Sequence, residues 1–144
     1  MAELHPQIAR DSVPVGRFPL CRLRLMLDAN YPWTILVPDR EGVTEIYQLE
    51  AADQRQLLHE SSALSQVLVD VFGADKLNIA ALGNLVPQLH VHHVVRYRSD
   101  AAWPAPVWGS VPPKPYQEEE LAARVRQLEE ALATVVGFRS EVAG

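Results

Sequence analysis

The sequence predicts an α+β domain, with an antiparallel β-sheet of about five strands flanked by one long central helix and a C-terminal helix. Three observations carry this expectation. Leu23, Leu25 and Leu27 alternate with Arg22, Arg24 and Met26 inside Phe18–Leu27, the spacing of a half-buried strand. Between Ala52 and Phe72 the period becomes helical, with Leu57, Leu64, Leu68 and Val71 on one side and Leu58, Ser61 and Val67 beside them. Gln117–Val136 repeats that spacing with Leu121, Val125, Leu128 and Leu132.

The remaining elements follow in order. Asp28–Pro32 is rich in turn formers, and Trp33–Val37 continues as a second strand that stops at Pro38-Asp39, so the pair reads as a hairpin. Val43–Leu49 suggests a short third extended piece. Gly73 is placed to cap the long helix. Lys76–Leu82 has strand character, Gly83-Asn84 interrupts it, and Gln88–Arg98 makes a further strand. Five prolines in 103–116 exclude both a helix and a central strand there, while Trp103 and Trp108 imply that the segment packs against something. The start, with His5, reads as a mobile segment. At 144 residues the chain is expected to be a single domain, 1–144, with its core at about 18–100.

Composition narrows the function. The net charge is −5 and no basic cluster spans a face, which argues against a nucleic-acid duplex as partner. A small anionic ligand held by local donors remains compatible. No apolar run approaches the roughly 20 residues needed to cross a bilayer. The start lacks an export-signal profile, and the lone Cys21 sits in an apolar alternation as a small core residue. A cytoplasmic protein is the expectation.

"PQLHVHHVV" (Pro87–Val95) concentrates three of the five histidines. Residues two apart on a strand share a face at about 6.5–7 Å. Gln88, His90, His92 and Val94 therefore point one way, and Leu89, Val91, His93 and Val95 the other. The second set is mostly apolar, so His93 belongs to the core as a hydrogen-bonded residue, while His90 and His92 open onto a surface or cleft. Imidazole attacks phosphorus well and transfers protons well, and roughly three-quarters of exposed histidines are neutral at pH 7. Two rings on one rigid face can divide the labour, one attacking phosphorus and the other serving the departing oxygen.

This stretch resembles the histidine triad (HIT) family of nucleotide hydrolases and transferases, whose motif is His-φ-His-φ-His-φ-φ with φ apolar, usually followed by arginine. The matching run is Gln88-Leu89-His90-Val91-His92-His93-Val94, with Arg96 beyond. "KLNIAALGNLVPQLHVH" is similar to the family's strand, Gly-polar turn, Val-Pro and triad strand, and "LDANYPWTILVPDR" to its nucleotide-pocket hairpin. Roughly Leu20–Arg96 is covered. The sequence departs from the pattern at Gln88 in the first triad position, at His93 after the third, and in "PDREG", which lacks the family's usual basic residue and histidine.

The resemblance implies a HIT-like sheet and cleavage at the α-phosphate of a small nucleotide compound, such as a dinucleoside polyphosphate or nucleoside phosphoramidate. His90 would be the nucleophile, forming a nucleotidyl-histidine. His92 would bond the phosphoryl oxygens or the leaving group, and the main-chain carbonyl of Gln88 would hold the other nitrogen of His90. Asn84, after Gly83, matches a position at the α-phosphate, and Asp28 and Asn30 match positions near the ribose. Asn78 lies on the strand beside the triad, and Arg96 and Arg98 share the parity of His90 and could add positive potential. No cofactor is required, a divalent metal would only accompany the substrate phosphates, and a homodimer is expected.

Two other readings stay open. Gln88 is compatible with a non-catalytic nucleotide-binding regulatory domain. His90 and His92 could also serve a zinc-dependent hydrolase, provided that His93 or Asp100 turned to the same face as a third ligand. Each turn residue has a plain alternative too: Asn30, Gly83 and Asn84 suit tight turns whatever the function.

Overall fold

A computed structural model describes residues 2–141. Its elements are α1 (Pro6–Asp11), β1 (Ser12–Arg17), β2 (Cys21–Met26), β3 (Trp33–Pro38), α2 (Ala51–Phe72), β4 (Lys76–Ala80), β5 (Val91–Arg96), α3 (Glu118–Leu132) and β6 (Arg139–Ser140). The strands form one antiparallel sheet in the order β4-β5-β3-β2-β1-β6.

Strand parity decides what each face of the sheet meets. Leu23, Leu25, Leu36, Val91 and Val95 share a core with Leu57, Leu64 and Leu68 of α2 and with Leu128 and Leu132 of α3. Both long helices therefore cover one face. The opposite face is covered by α1 and by irregular chain: Ile8 of α1 packs near Ile35 and Val37, while Ala102 and Val107 pack on Trp33 and Val94. α2 ends where expected, because Gly73 takes the left-handed conformation (φ 61°) and donates its N–H to the Val69 carbonyl. Glu60 is buried on the inner side of α2 and accepts the main-chain N–H groups of Leu20 and Cys21 at 2.8 and 2.9 Å. It ties the helix to the start of β2. Burial, with this carboxylate alongside, pushes the Cys21 thiol far above its ordinary value, which makes it an inert core residue.

The structure corrects several boundaries. The N-terminal segment is held in place: Ala2 donates to Asp39, Arg22 donates to the Ala2 carbonyl, and His5 Nδ1 caps α1 by accepting the Gln7 N–H at 3.0 Å. With β1 and β6, the sheet has six strands and extends beyond residues 18–100. Gly16 admits β6, since a Cβ there would stand 2.5 Å from the Arg139 carbonyl oxygen. The extended piece expected at Val43–Leu49 is a single 3₁₀ turn, Ile46–Gln48. Gln48 Oε1 accepts the N–H groups of Thr44 and Glu45, donors that a strand would have offered to a neighbour. α3 stops at Leu132 rather than reaching Val136, giving way to a β-branched run before Gly137 (φ 90°). None of the described helices is long and apolar enough to cross a membrane.

Candidate functional site

The strand expected over Gln88–Arg98 begins only at Val91. Leu89 donates its N–H to the Val43 carbonyl, and His90 turns its ring back on its own chain. His90 Nδ1 lies 2.7 Å from the Gln88 carbonyl oxygen. A carbonyl can only accept, so Nδ1 carries the proton and Nε2 of the neutral ring presents its lone pair. The Gln88 side chain is engaged elsewhere. Its Oε1 accepts the His5 N–H at 2.7 Å and its Nε2 donates to the Glu3 carbonyl at 3.1 Å.

His90 and His92 share a face, as parity requires, with ring centroids 4.9 Å apart in an edge-to-face arrangement. His90 is half-buried. His92 is only 5% exposed, which corrects the expectation that both rings open onto a cleft. Its cover comes from Trp33, centroid at 5.6 Å, and from Trp108, at 5.2 Å, and Trp33 Nε1 donates to His92 Nδ1 at 2.9 Å. Burial first, then the proximity of His90 and His93, pushes the His92 pKa down to about 3. His93 faces the helices, donates from Nδ1 to the Val91 carbonyl and accepts at Nε2 from Ser61 Oγ at 2.7 Å. Burial takes its pKa down to about 4.

The supporting residues divide sharply. Arg96, expected to add positive potential, is buried and neutralised. Its Nε and Nη2 bond both oxygens of Asp100 at 2.8 and 3.1 Å, and Nη1 donates to Asn78 Oδ1 at 2.7 Å. Asn78 thus orients Arg96 through its side-chain oxygen. Arg98 is exposed and pairs with Asp75 at 3.4 Å. Asp28 accepts the N–H groups of Asn30 and Lys114, and Asn30 donates to the Pro112 carbonyl. This pair braces the turn against the proline-rich segment that carries Trp108. Gly83 (φ 81°) is half-buried, and Asn84 and Leu85 form the exposed bend that follows it, Leu85 being 95% exposed. A crevice bordered by Gly83, Gln88, Leu89 and His90 encloses only about 10 Å³, so a ligand would lie across its open mouth.

A metal centre has poor material here. Among the described residues no three His, Cys, Asp or Glu side chains gather around one point. His93 faces the helices and Asp100 is the fork for Arg96, so neither can join His90 and His92 as a zinc ligand.

Sequence reasoning missed Trp33 and Trp108 as the walls of the histidine pair and His5 as a partner of Gln88. Only the face shared by Trp33, Ile35, His92 and Val94, visible once the β3–β5 register is known, brings the indole to the ring.

Comparison with known proteins bears on the family and the fold. The HIT domain model matches residues 8–99. Among solved structures, a histidine triad protein from Marinobacter aquaeolei VT8 is 50% identical, covering 93% of this chain and 98% of that one with a TM-score of 0.89. A histidine triad protein from Bradyrhizobium japonicum is 44% identical, and one from Sinorhizobium meliloti 1021 is 42% identical. Each of these two covers 90% of this chain and 96% of its own, with a TM-score of 0.87. No match was found among curated proteins. The domain match spans more than half of the chain and the first of these relatives shares half of its residues, so the chain belongs to the histidine triad family.

Proposed function

We propose that the protein is a nucleotide hydrolase or nucleotidyl transferase acting at an α-phosphate through His90. The observation that carries this reading is the 2.7 Å contact between His90 Nδ1 and the Gln88 carbonyl, which leaves the Nε2 lone pair as the reactive end of a half-buried ring. Nε2 attacks the α-phosphorus as the bond to the leaving group breaks, giving a nucleotidyl-histidine. His92 hydrogen-bonds the phosphoryl or leaving oxygen. Water then cleaves the P–N bond and releases a nucleoside monophosphate, or another acceptor takes the nucleotidyl group. The main chain at Gly83-Asn84, open at Asn84, suits an approaching phosphate, and Asp28 and Asn30 would meet the ribose from the turn they brace. No protein-bound metal enters the steps, and a divalent ion would travel with the substrate phosphates.

The same reading includes a cytoplasmic homodimer. β4 ends the sheet with Ile79 exposed, and Leu58 and Val69 of α2 are exposed as well, a surface suited to a second copy. Burial of His92 favours one rival, a non-catalytic nucleotide-binding domain. The test incubates the protein with a panel of nucleotide compounds, quenches at alkaline pH and seeks a nucleotide adduct by mass spectrometry. An adduct on His90 that vanishes in His90→Ala is expected. Tight binding with neither adduct nor turnover would leave the regulatory reading in its place.

A further inference from the structure

In the β3–β5 ladder Trp33 lies opposite Val94 and Ile35 opposite His92, so Trp33 is the diagonal neighbour of His92 on one face. Its indole N–H meets His92 Nδ1 at 2.9 Å in a buried contact. An indole nitrogen can only donate, so the receiving nitrogen must hold a lone pair. We infer that Trp33 is a positioning residue that locks His92 as a neutral Nε2–H donor, and that this restricts the protein to substrates whose leaving group departs as a stable anion, phosphoanhydrides rather than phosphoramidates.

The lock follows from what surrounds the ring. Trp108 stands edge-to-face at 5.2 Å and His90 at 4.9 Å, so the imidazole has walls on both sides as well as the indole partner. Burial first, and then the proximity of His90 and His93, oppose a second proton on this ring. Arg96, further along the same face, spends its charge on the Asp100 fork. Among the described residues the ring's partners are Trp33, Trp108 and His90, not the carboxylate that usually stabilises an imidazolium. The adjacent rings therefore hold opposite tautomers, His90 with its proton on Nδ1 and His92 with its proton on Nε2.

The chemical consequence rests on the function proposed above. As the bond from His90 Nε2 to phosphorus forms, the bridging P–O bond breaks and its oxygen keeps the electron pair. His92 Nε2–H stabilises that charge by a hydrogen bond. It does not surrender the proton, because the product would be an imidazolate, a far stronger base than the leaving oxygen. A phosphate or polyphosphate leaves readily under these terms. An amine leaves only if protonated, and a neutral donor of this kind does not protonate it.

The experiment has two arms. Trans-hydrogen-bond ¹⁵N–¹⁵N coupling between the Trp33 indole and His92 Nδ1 is sought in the labelled, ligand-free protein, together with the tautomer of His92. Coupling with the proton on Nε2 is expected; a proton on Nδ1, or no coupling, overturns the lock whatever the protein hydrolyses. In the second arm, nucleoside 5′-aryl phosphates of graded leaving-group acidity are compared with a dinucleoside polyphosphate and an alkyl phosphoramidate. The expected result is a steep dependence on leaving-group acidity and at least about 100-fold higher kcat/KM for the anhydride than for the phosphoramidate. A flat dependence, or equal rates, overturns the substrate claim. Trp33→Phe keeps the packing and removes the donor, so the His92 titration moves upward and kcat falls about tenfold with KM little changed. If no compound is turned over, the proposed function fails while the coupling still decides the lock.

Discussion

The side-chain oxygen of Gln88 accepts the main-chain N–H of His5 at 2.7 Å, across 83 positions of sequence. The same amide donates to the Glu3 carbonyl, so the first triad position fastens the N-terminal segment with its side chain while its own carbonyl holds His90. Substitution of the side chain and loss of the carbonyl contact are therefore separate events.

Gln88→Ala is expected to loosen residues 3–5, leaving Ala2 on Asp39 and Arg22, and yet keep the His90 orientation. Two partly solvated hydrogen bonds amount to about 1–2 kcal/mol of stability. Limited proteolysis should clip the N-terminal segment much faster in the variant, and kcat should fall by no more than about tenfold. A collapse of kcat to the level of His90→Ala would mean that the amide itself takes part in the chemistry.

The parts of this fold that could be read from sequence are those set by local period. Leu57, Leu64 and Leu68 announce α2, and Gly73 marks its end, because spacing and capping are properties of adjacent residues. The two faces of β5 were likewise legible from alternation, which places His93 toward the helices and His90 with His92 opposite. What stayed hidden depends on chain brought in from afar. His92 is covered by Trp33 and Trp108, from another strand and an irregular segment. Asn78 looked free until Arg96, 18 residues away, took its oxygen. The N-terminal segment looked mobile because Gln88, Arg22 and Asp39, which tie it down, are remote in sequence.

Stability should depend on pH through His92 and His93. Both rings are kept neutral by burial, with pKa values down to about 3 and about 4 from 6.5. Between those values and 6.5 the unfolded chain binds protons that the native state refuses. Stability is thus full above about pH 6.5 and declines as pH falls toward 4, with a combined slope approaching about 2.7 kcal/mol per pH unit. Urea unfolding from pH 7 to 4.5 measures it. His93→Asn should roughly halve the slope, and a wild-type midpoint that stays level over this range would contradict neutral, buried rings.

Glu60 is expected to matter more than any other helix carboxylate. Glu60→Ala strands the N–H groups of Leu20 and Cys21 in the core, at a cost of about 2–4 kcal/mol. Glu60→Gln keeps one carbonyl acceptor and should lose about half as much. Chemical denaturation of both variants decides it, and an alanine variant within 0.5 kcal/mol of wild type would show that water replaces the carboxylate.

The Arg96–Asp100 pair reaches the site through packing. Burial alone would push the Asp100 carboxyl up, but Arg96 and the N–H groups of Tyr97, Trp103 and Ala102 outweigh it and hold the pKa at about 2. Its contribution is complete above the unfolded value near 3.8 and is lost as pH falls through 2. Arg96→Met leaves a buried carboxylate unpaired, a loss of about 3–5 kcal/mol at pH 7. That carboxylate then takes up a proton at milder acidity, so the gap between variant and wild type should narrow by pH 3. Arg96 also donates to the Ala105 carbonyl at 2.8 Å, anchoring the chain that carries Trp108. The variant should therefore let Trp108 move off His92, read as a red-shifted and more quenchable tryptophan fluorescence at temperatures where the protein remains folded. Unchanged fluorescence alongside the stability loss would confine the pair to the fold and disconnect it from the histidines.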